Sequence, residues 1–276
     1  MSNKEQIIDL VHKEDSTIDY EVITFPDGQI HFKMDNTINH KYPITVKCRI
    51  RNGNELFLLL QVLDVLNRHG MRPTVHIYYL LAARMDRVMS FGEPFTAKIV
   101  LDLLDKYDAS YLVQEVHCDS LMTLRYNPQK WGSIYTLFYR ESSDSEVELL
   151  CFPDQGAKDR SSKHRQALLC QKVRDESTGS LSGFEVTNPQ LFHQGNCIVV
   201  IDDLCDGGGT FCGIIKELRK LNPGKVILQV THAIQKQGIE KVAALYDEVY
   251  ITNSYHDWDK EDLPKNVHVT DIIRNN

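Results

Sequence analysis

Residues 198–214 read IVVIDDLCDGGGTFCGI, and no other stretch restricts the fold as much. A run of aliphatic residues bounded by turn signals fits a strand buried on both faces, which belongs inside a parallel sheet. Three glycines then turn the chain, and a helix begins near Thr210. Strand, tight turn and helix in so short a span make half of a βαβ unit.

The rest of the chain repeats that alternation. Apolar spacing predicts a helix over 54–70, with Leu56, Leu59, Leu60, Leu63 and Leu66 on one stripe and Gly70 as its stop. A second amphipathic helix is expected over 94–106, with Pro94 near its start. Further helices fit at 160–170, 210–221 and 236–245. Strands are expected at 74–81, 110–116, 148–154, 196–202, 225–233 and 248–254. Strands alternating with helices imply mostly parallel sheet covered on both faces. The alternation pauses over 126–148, which sets a domain boundary at about residue 140, giving 1–140 and 141–276. The polar stretch 174–190 is too long for a simple connection and is expected to be a mobile functional loop.

A net charge of −7 argues against a nucleic-acid surface, which needs a basic face. Seven cysteines, with no CxxC pair and no zinc-like spacing, read as reduced thiols. The polar N-terminus and the lack of an apolar run of membrane-spanning length point to a cytoplasmic protein with no membrane partner.

Ligands of open α/β sheets sit at the carboxyl ends of strands. There the sequence places Asp202 and Asp203, then Asp206, Gly207, Gly208, Gly209 and Thr210. Read alone, a glycine run is a tight turn. Together with a helix N-terminus, its backbone N–H groups and positive field cradle a phosphate. Carboxylates beside it suit sugar hydroxyls, so the pair describes a ribose 5-phosphate.

That string resembles the phosphoribosyl-diphosphate (PRPP) motif of type I phosphoribosyltransferases and PRPP synthetases. Other segments resemble the synthetases in particular, in the right order from about residue 20 to 272: FPDGQI (25–30), the helix from Asn52 to Gly70, YYLLAARMDRVMSFGEPFTAK (78–98), VHCDS (116–120), FPDQGAKDR (152–160), QKVRD (171–175), THA and VYITNS. The resemblance implies two similar phosphoribosyltransferase-like α/β domains related by a pseudo-two-fold, with the last strand a candidate to return to the N-terminal domain. It implies transfer of the β,γ-diphosphate of MgATP to the anomeric hydroxyl of a ribose-5-phosphate moiety, releasing AMP. On the ATP side it points to Phe25, Asp27, Gln29, Arg84, Asp86 and His117, with Phe25 and Asp27 supplied by a neighbouring subunit of a homo-oligomer, dimer or hexamer. Mg²⁺ would be held by His117, beside Asp119, and by Asp154. Lys172 and Arg174, starting the soft loop, would stabilise charge on the diphosphate in flight.

Departures are informative. Gly207 stands where the family has a threonine whose hydroxyl helps hold the 5-phosphate, and a bare position leaves space for a substituent. ADP-ribose is ribose 5-phosphate carrying AMP. As acceptor, giving ADP-ribose 1-diphosphate, it is favoured over ribose 5-phosphate, giving PRPP. The alternatives are an ordinary PRPP synthetase and a non-catalytic regulatory relative. Gln29 replaces a glutamate, Met85 a glutamine, and Met89 stands where a second aspartate is usual. The C-terminus stops where relatives continue into a helix, so the resemblance leaves their allosteric control and hexamer assembly open for this chain. The product would feed nucleotide or NAD synthesis.

Overall fold

The computed structural model describes residues 5–35, 38–118, 130–134, 148–160, 167–174 and 181–274. The chain divides into two compact units, Met1–Tyr135 and Thr136–Asn276. Among the described residues, no helix is long and apolar enough to cross a membrane. All seven cysteines are free thiols.

In the first unit, β1 (Gln6–Asp9), β4 (Ile44–Arg49), β5 (Thr74–Tyr79), β6 (Ser110–Gln114) and β7 (Trp131–Ile134) form one sheet in the order β1-β4-β5-β6-β7. Every pairing in it is parallel, so all the carboxyl ends lie along one edge. Helix α1 (Gly53–Arg68) buries Leu56, Leu59, Val62, Leu63 and Leu66. Asn52 caps it by accepting from the Glu55 N–H at 3.0 Å, and Gly70 at φ 71° closes it. Helix α2 (Thr96–Leu104) starts two residues after Pro94. A hairpin of β2 (Tyr20–Thr24) and β3 (Ile30–Met34) is tied to α1 through Gln61, whose Oε1 accepts from Phe32 N and whose Nε2 donates to Ile30 O.

In the second unit the strands are β8 (Glu148–Phe152), β9 (Leu168–Arg174), β10 (Leu181–Thr187), β11 (Cys197–Cys205), β12 (Lys225–Ala233), β13 (Glu248–Thr252) and β14 (Val267–Thr270). Their order is β10-β9-β8-β11-β12-β13-β14. Only the β9–β10 pairing is antiparallel. Alternate residues of β11 serve two cores. Ile198 and Val200 pack with α4 (Gly209–Arg219) and α5 (Lys236–Ala243), whereas Val199 and Ile201 pack with α3 (Gln155–Arg160). Period-two alternation therefore puts helices on both faces of this sheet.

Three sequence expectations are corrected here. The helix at 160–170 is instead α3, ending at Arg160, followed by β9 from Leu168, because Leu168, Leu169 and Cys170 are all buried between neighbours on both sides. An apolar run this short does not distinguish helix from strand. Within the stretch 174–190, residues 181–187 are strand rather than loop, since β10 runs back along β9 and carries Phe184 and Val186 towards the core, while 175–180 lie outside the described residues. The last strand, β14, pairs with β13 in the second unit's own sheet.

Candidate active site

The first unit brings Arg84, Asp86 and His117 together where β5 and β6 end. After β5 the chain passes Ala82, a non-glycine residue at φ 63°, and after β6 it passes Glu115 at φ 41°. Left-handed backbone at such residues is uncommon and concentrates at functional sites. These two bends lead into Arg84–Asp86 and His117. There a cavity of about 460 Å³ is lined by Arg84, Met85, Asp86, Arg87, Met89 and His117, and closed by Glu93, Pro94 and Thr96 at the start of α2. Arg84, Asp86 and His117, picked from sequence, thus share one cavity. Asp86 accepts a two-pronged hydrogen bond from Arg87, Nε at 2.9 Å and Nη2 at 2.7 Å. That fork, with help from Cys118 and the nearby His117, holds the Asp86 carboxyl below its ordinary value. The Glu93 carboxyl is also lowered, by the Ser90 side chain and the Met89 and Ser90 amides. Sequence reading missed Arg87 and Glu93. The only signal for Glu93 was its place just before Pro94, ahead of a helix.

Phe25, Asp27 and Gln29 occupy the tip of the β2–β3 hairpin. Asp27 Oδ1 accepts from Gln29 N at 3.1 Å, Phe25 N donates to Gln29 O, and Gly28 turns at φ 84°. Phe25 is 46 % exposed. None of the three lines the cavity of its own unit. Asp119 lies outside the described residues.

In the second unit, β11 runs three residues further than expected, pairing Leu204 with His232 and Cys205 with Ala233. Asp202 and Asp203 therefore sit inside the strand and face opposite sides. Asp203 is buried and Asp202 half-buried, with Asp202 Oδ1 accepting from Asp203 N at 2.9 Å. The glycine loop follows. Gly208 adopts φ 76° as the N-cap of α4, and a Cβ there would lie 2.9 Å from Gly238 O. Only glycine fits on both counts. A Cβ on Gly207 or Gly209 would meet nothing within 4 Å. The first turn of α4 leaves its N–H groups without partners in the helix and adds the positive end of its dipole.

The loop is braced from α5, which sequence reading also missed. Gln235 Nε2 donates to Asp206 Oδ1 at 2.7 Å. Gly238 comes so close that an added Cβ would lie 2.0 Å from Asp206 O. Beside the loop, the Cys205 thiol is pushed up to about 12, chiefly by burial and then by Cys212, Asp202 and Asp206. It stays protonated at neutral pH and is no nucleophile. At the ends of β12 and β13, His232 Nδ1 and Ser254 Oγ lie 2.9 Å apart in a buried pair.

Asp154 sits just before α3 and caps it, Oδ1 accepting from Ala157 N at 2.9 Å. Lys172 and Arg174 belong to strand β9 rather than to a loop, opposite Phe184 and Leu181. Their side chains lie outside the described residues. Just beyond β8, Asp154 offers a carboxylate, the hard oxygen donor that Mg²⁺ takes along with waters and phosphate oxygens.

No family model matches the chain. A ribose-phosphate pyrophosphokinase from Pyrococcus furiosus is 27 % identical over 241 residues, 85 % of each chain. One from Nostoc sp. is 28 % identical over 240 residues, 83 % of this chain and 72 % of the other. The crystal structure of phosphoribosylpyrophosphate synthetase from Mycobacterium smegmatis matches the fold with a TM-score of 0.78, covering 94 % of this chain and 87 % of that one at 20 % identity.

Proposed function

We infer that this chain, a homologue of the ribose-phosphate pyrophosphokinases over most of its length, is a diphosphokinase that moves the β,γ-diphosphate of ATP onto the anomeric hydroxyl of a ribose 5-phosphate moiety. The observation that carries the reading is the cavity holding Arg84, Asp86 and His117 at the carboxyl ends of two parallel strands. A phosphoribosyltransferase needs no such nucleotide site in addition to its glycine loop.

Each group then has a chemical task. Arg84 and Arg87 offer guanidinium donors to ATP, with Arg87 oriented by the Asp86 fork. His117 and Asp154 would hold Mg²⁺, which supplies charge neutralisation along the triphosphate. The loop from Asp206 to Thr210 takes the 5-phosphate through backbone N–H groups. Asp202 and Asp206 accept from the sugar hydroxyls, and Asp203, buried on the other face, supports the strand. The anomeric oxygen attacks the β-phosphorus, the bond to the α-phosphate oxygen breaks, and AMP leaves. Lys172 and Arg174 stabilise the charge on the moving diphosphate. Such transfer depends on positioning and electrostatics more than on covalent help. Phe25, Asp27 and Gln29, away from the cavity of their own chain, suit the adenine of a second copy, which makes the active form a homo-oligomer.

For the acceptor we favour ADP-ribose over ribose 5-phosphate. The space around Gly207 supports this: packing does not require glycine there, so the missing side chain leaves room beside the phosphate. Competition between the two acceptors at equal concentration, with products separated by mass, tests the choice. ADP-ribose 1-diphosphate should dominate, and Gly207→Thr should move the ratio at least tenfold towards PRPP. PRPP as the main product of the unsubstituted protein would overturn the preference.

A further inference from the structure

The turn after β1 carries a cluster that the diphosphokinase reading does not use. Asp9, His12 and Asp15 recur at three-residue spacing. Asp9 ends β1, and Asp15 ends a single 3-10 turn, Lys13–Asp15. One carboxylate oxygen of Asp9, one ring nitrogen of His12 and one carboxylate oxygen of Asp15 lie within 4.8 Å of one another. Asp9 is 1 % exposed and His12 4 %, whereas the Asp15 side chain is 39 % exposed.

The second observation concerns Asp9. Its Oδ1 accepts from the amides of Val11 and His12, both at 2.9 Å. Its Oδ2 is buried with no hydrogen-bond partner. A buried carboxylate oxygen in that state is costly, and an ion or ordered water is its usual explanation. The surroundings hold Asp9 in place. Its N–H donates to Ser16 Oγ at 2.8 Å, and its carbonyl accepts from the Tyr20 hydroxyl at 2.5 Å. A fixed, buried ligand braced by neighbouring hydrogen bonds is how metal sites are built.

We propose that Asp9, His12 and Asp15 form a binding site for a divalent transition-metal ion, separate from the nucleotide cavity. One imidazole with two carboxylates is a ligand set of Zn²⁺ or Mn²⁺ sites. His12 Nδ1 and Asp15 Oδ2 are 4.0 Å apart. Ligands of a four-coordinate zinc at ordinary bond lengths stand roughly 3.3 Å apart, so Asp15, at the surface, closes on the ion by less than about 1 Å. The ion fixes the turn that follows the edge strand of the first unit, and its binding adds to that unit's stability. This proposal does not depend on the diphosphokinase reading.

The test uses the full chain, stripped with a chelator and titrated with Co²⁺ and Zn²⁺ without nucleotide. We expect one ion per chain, a cobalt spectrum without thiolate bands, and a rise in melting temperature with Zn²⁺. His117→Gln should leave this binding unchanged. Asp15→Asn, at an exposed position that does not threaten folding, should weaken Zn²⁺ at least tenfold, and His12→Gln should do the same. Absence of a bound ion, thiolate bands in the cobalt spectrum, or unchanged affinity in Asp15→Asn would each overturn the proposal.

Discussion

Gly238→Ala is the perturbation that tests how the glycine loop is held. The new methyl group would lie 2.0 Å from Asp206 O, 3.1 Å from Asp206 C and 3.2 Å from Gly207 C. Relieving the first contact requires a backbone shift of about 1 Å, because carbon and oxygen do not approach closer than about 3 Å. Alanine in the first turn of α5 brings a helix-propensity gain of up to ~1 kcal/mol. Overpacking against backbone costs about 1–3 kcal/mol. With the full propensity gain set against the clash, the net loss of stability is at most about 2 kcal/mol. The larger effect falls on the acceptor. Displacing the loop amides proposed to hold the 5-phosphate by ~1 Å costs on the order of 10²-fold in kcat/KM. Gly224→Ala is the control, since its Cβ would lie 2.3 Å from Gly195 O in a turn away from the loop. Steady-state kinetics and thermal melting on both variants separate the effects. Gly238→Ala should lose acceptor kcat/KM and Gly224→Ala should not. Equal kinetic losses at matched stability, or an unchanged acceptor KM in Gly238→Ala, would refute the bracing argument.

Two further outcomes are expected. Lys172→Ala and Arg174→Ala should each lower kcat about 10²–10³-fold while leaving the KM for ATP within a factor of a few, as measured by initial rates, because cations that act on the moving diphosphate matter most in the transition state. Asp86→Asn should lose under about 1 kcal/mol of stability at neutral pH, because Arg87 is exposed. Asp86 has a depressed folded pKa, so its contribution is present above the ordinary aspartate value and lost as pH falls through the lower folded value. Melting curves of the two proteins should differ at pH 7 and converge in acid.

The elements that could be read from sequence were those with a local signal. Strand β12 matches its expected span because Val226, Ile227, Leu228 and Val230 follow directly on the turn signal Pro223–Gly224. Helix α1 was legible from its leucine stripe and Gly70, whereas its Asn52 cap emerged only in the structure. The β9–β10 pair was not, because Gln171, Lys172 and Arg174 look like surface loop and only pairing with β10 makes them strand. The glycine loop was visible as a motif, but not the opposite facing of Asp202 and Asp203, since that depends on β11 continuing to Cys205. Gln235 and Gly238 carry no motif. Their importance comes from contacts with Asp206, about thirty positions earlier, which only the folded chain brings about.

The most direct test of the central claim follows the phosphorus. ATP labelled at the β-position is incubated with the protein, Mg²⁺ and either ribose 5-phosphate or ADP-ribose, and the products are resolved by mass spectrometry. The account predicts unlabelled AMP in amount equal to a sugar that carries the label in a new diphosphate. Labelled ADP with a singly phosphorylated sugar, or labelled inorganic diphosphate with both acceptors untouched, would contradict it.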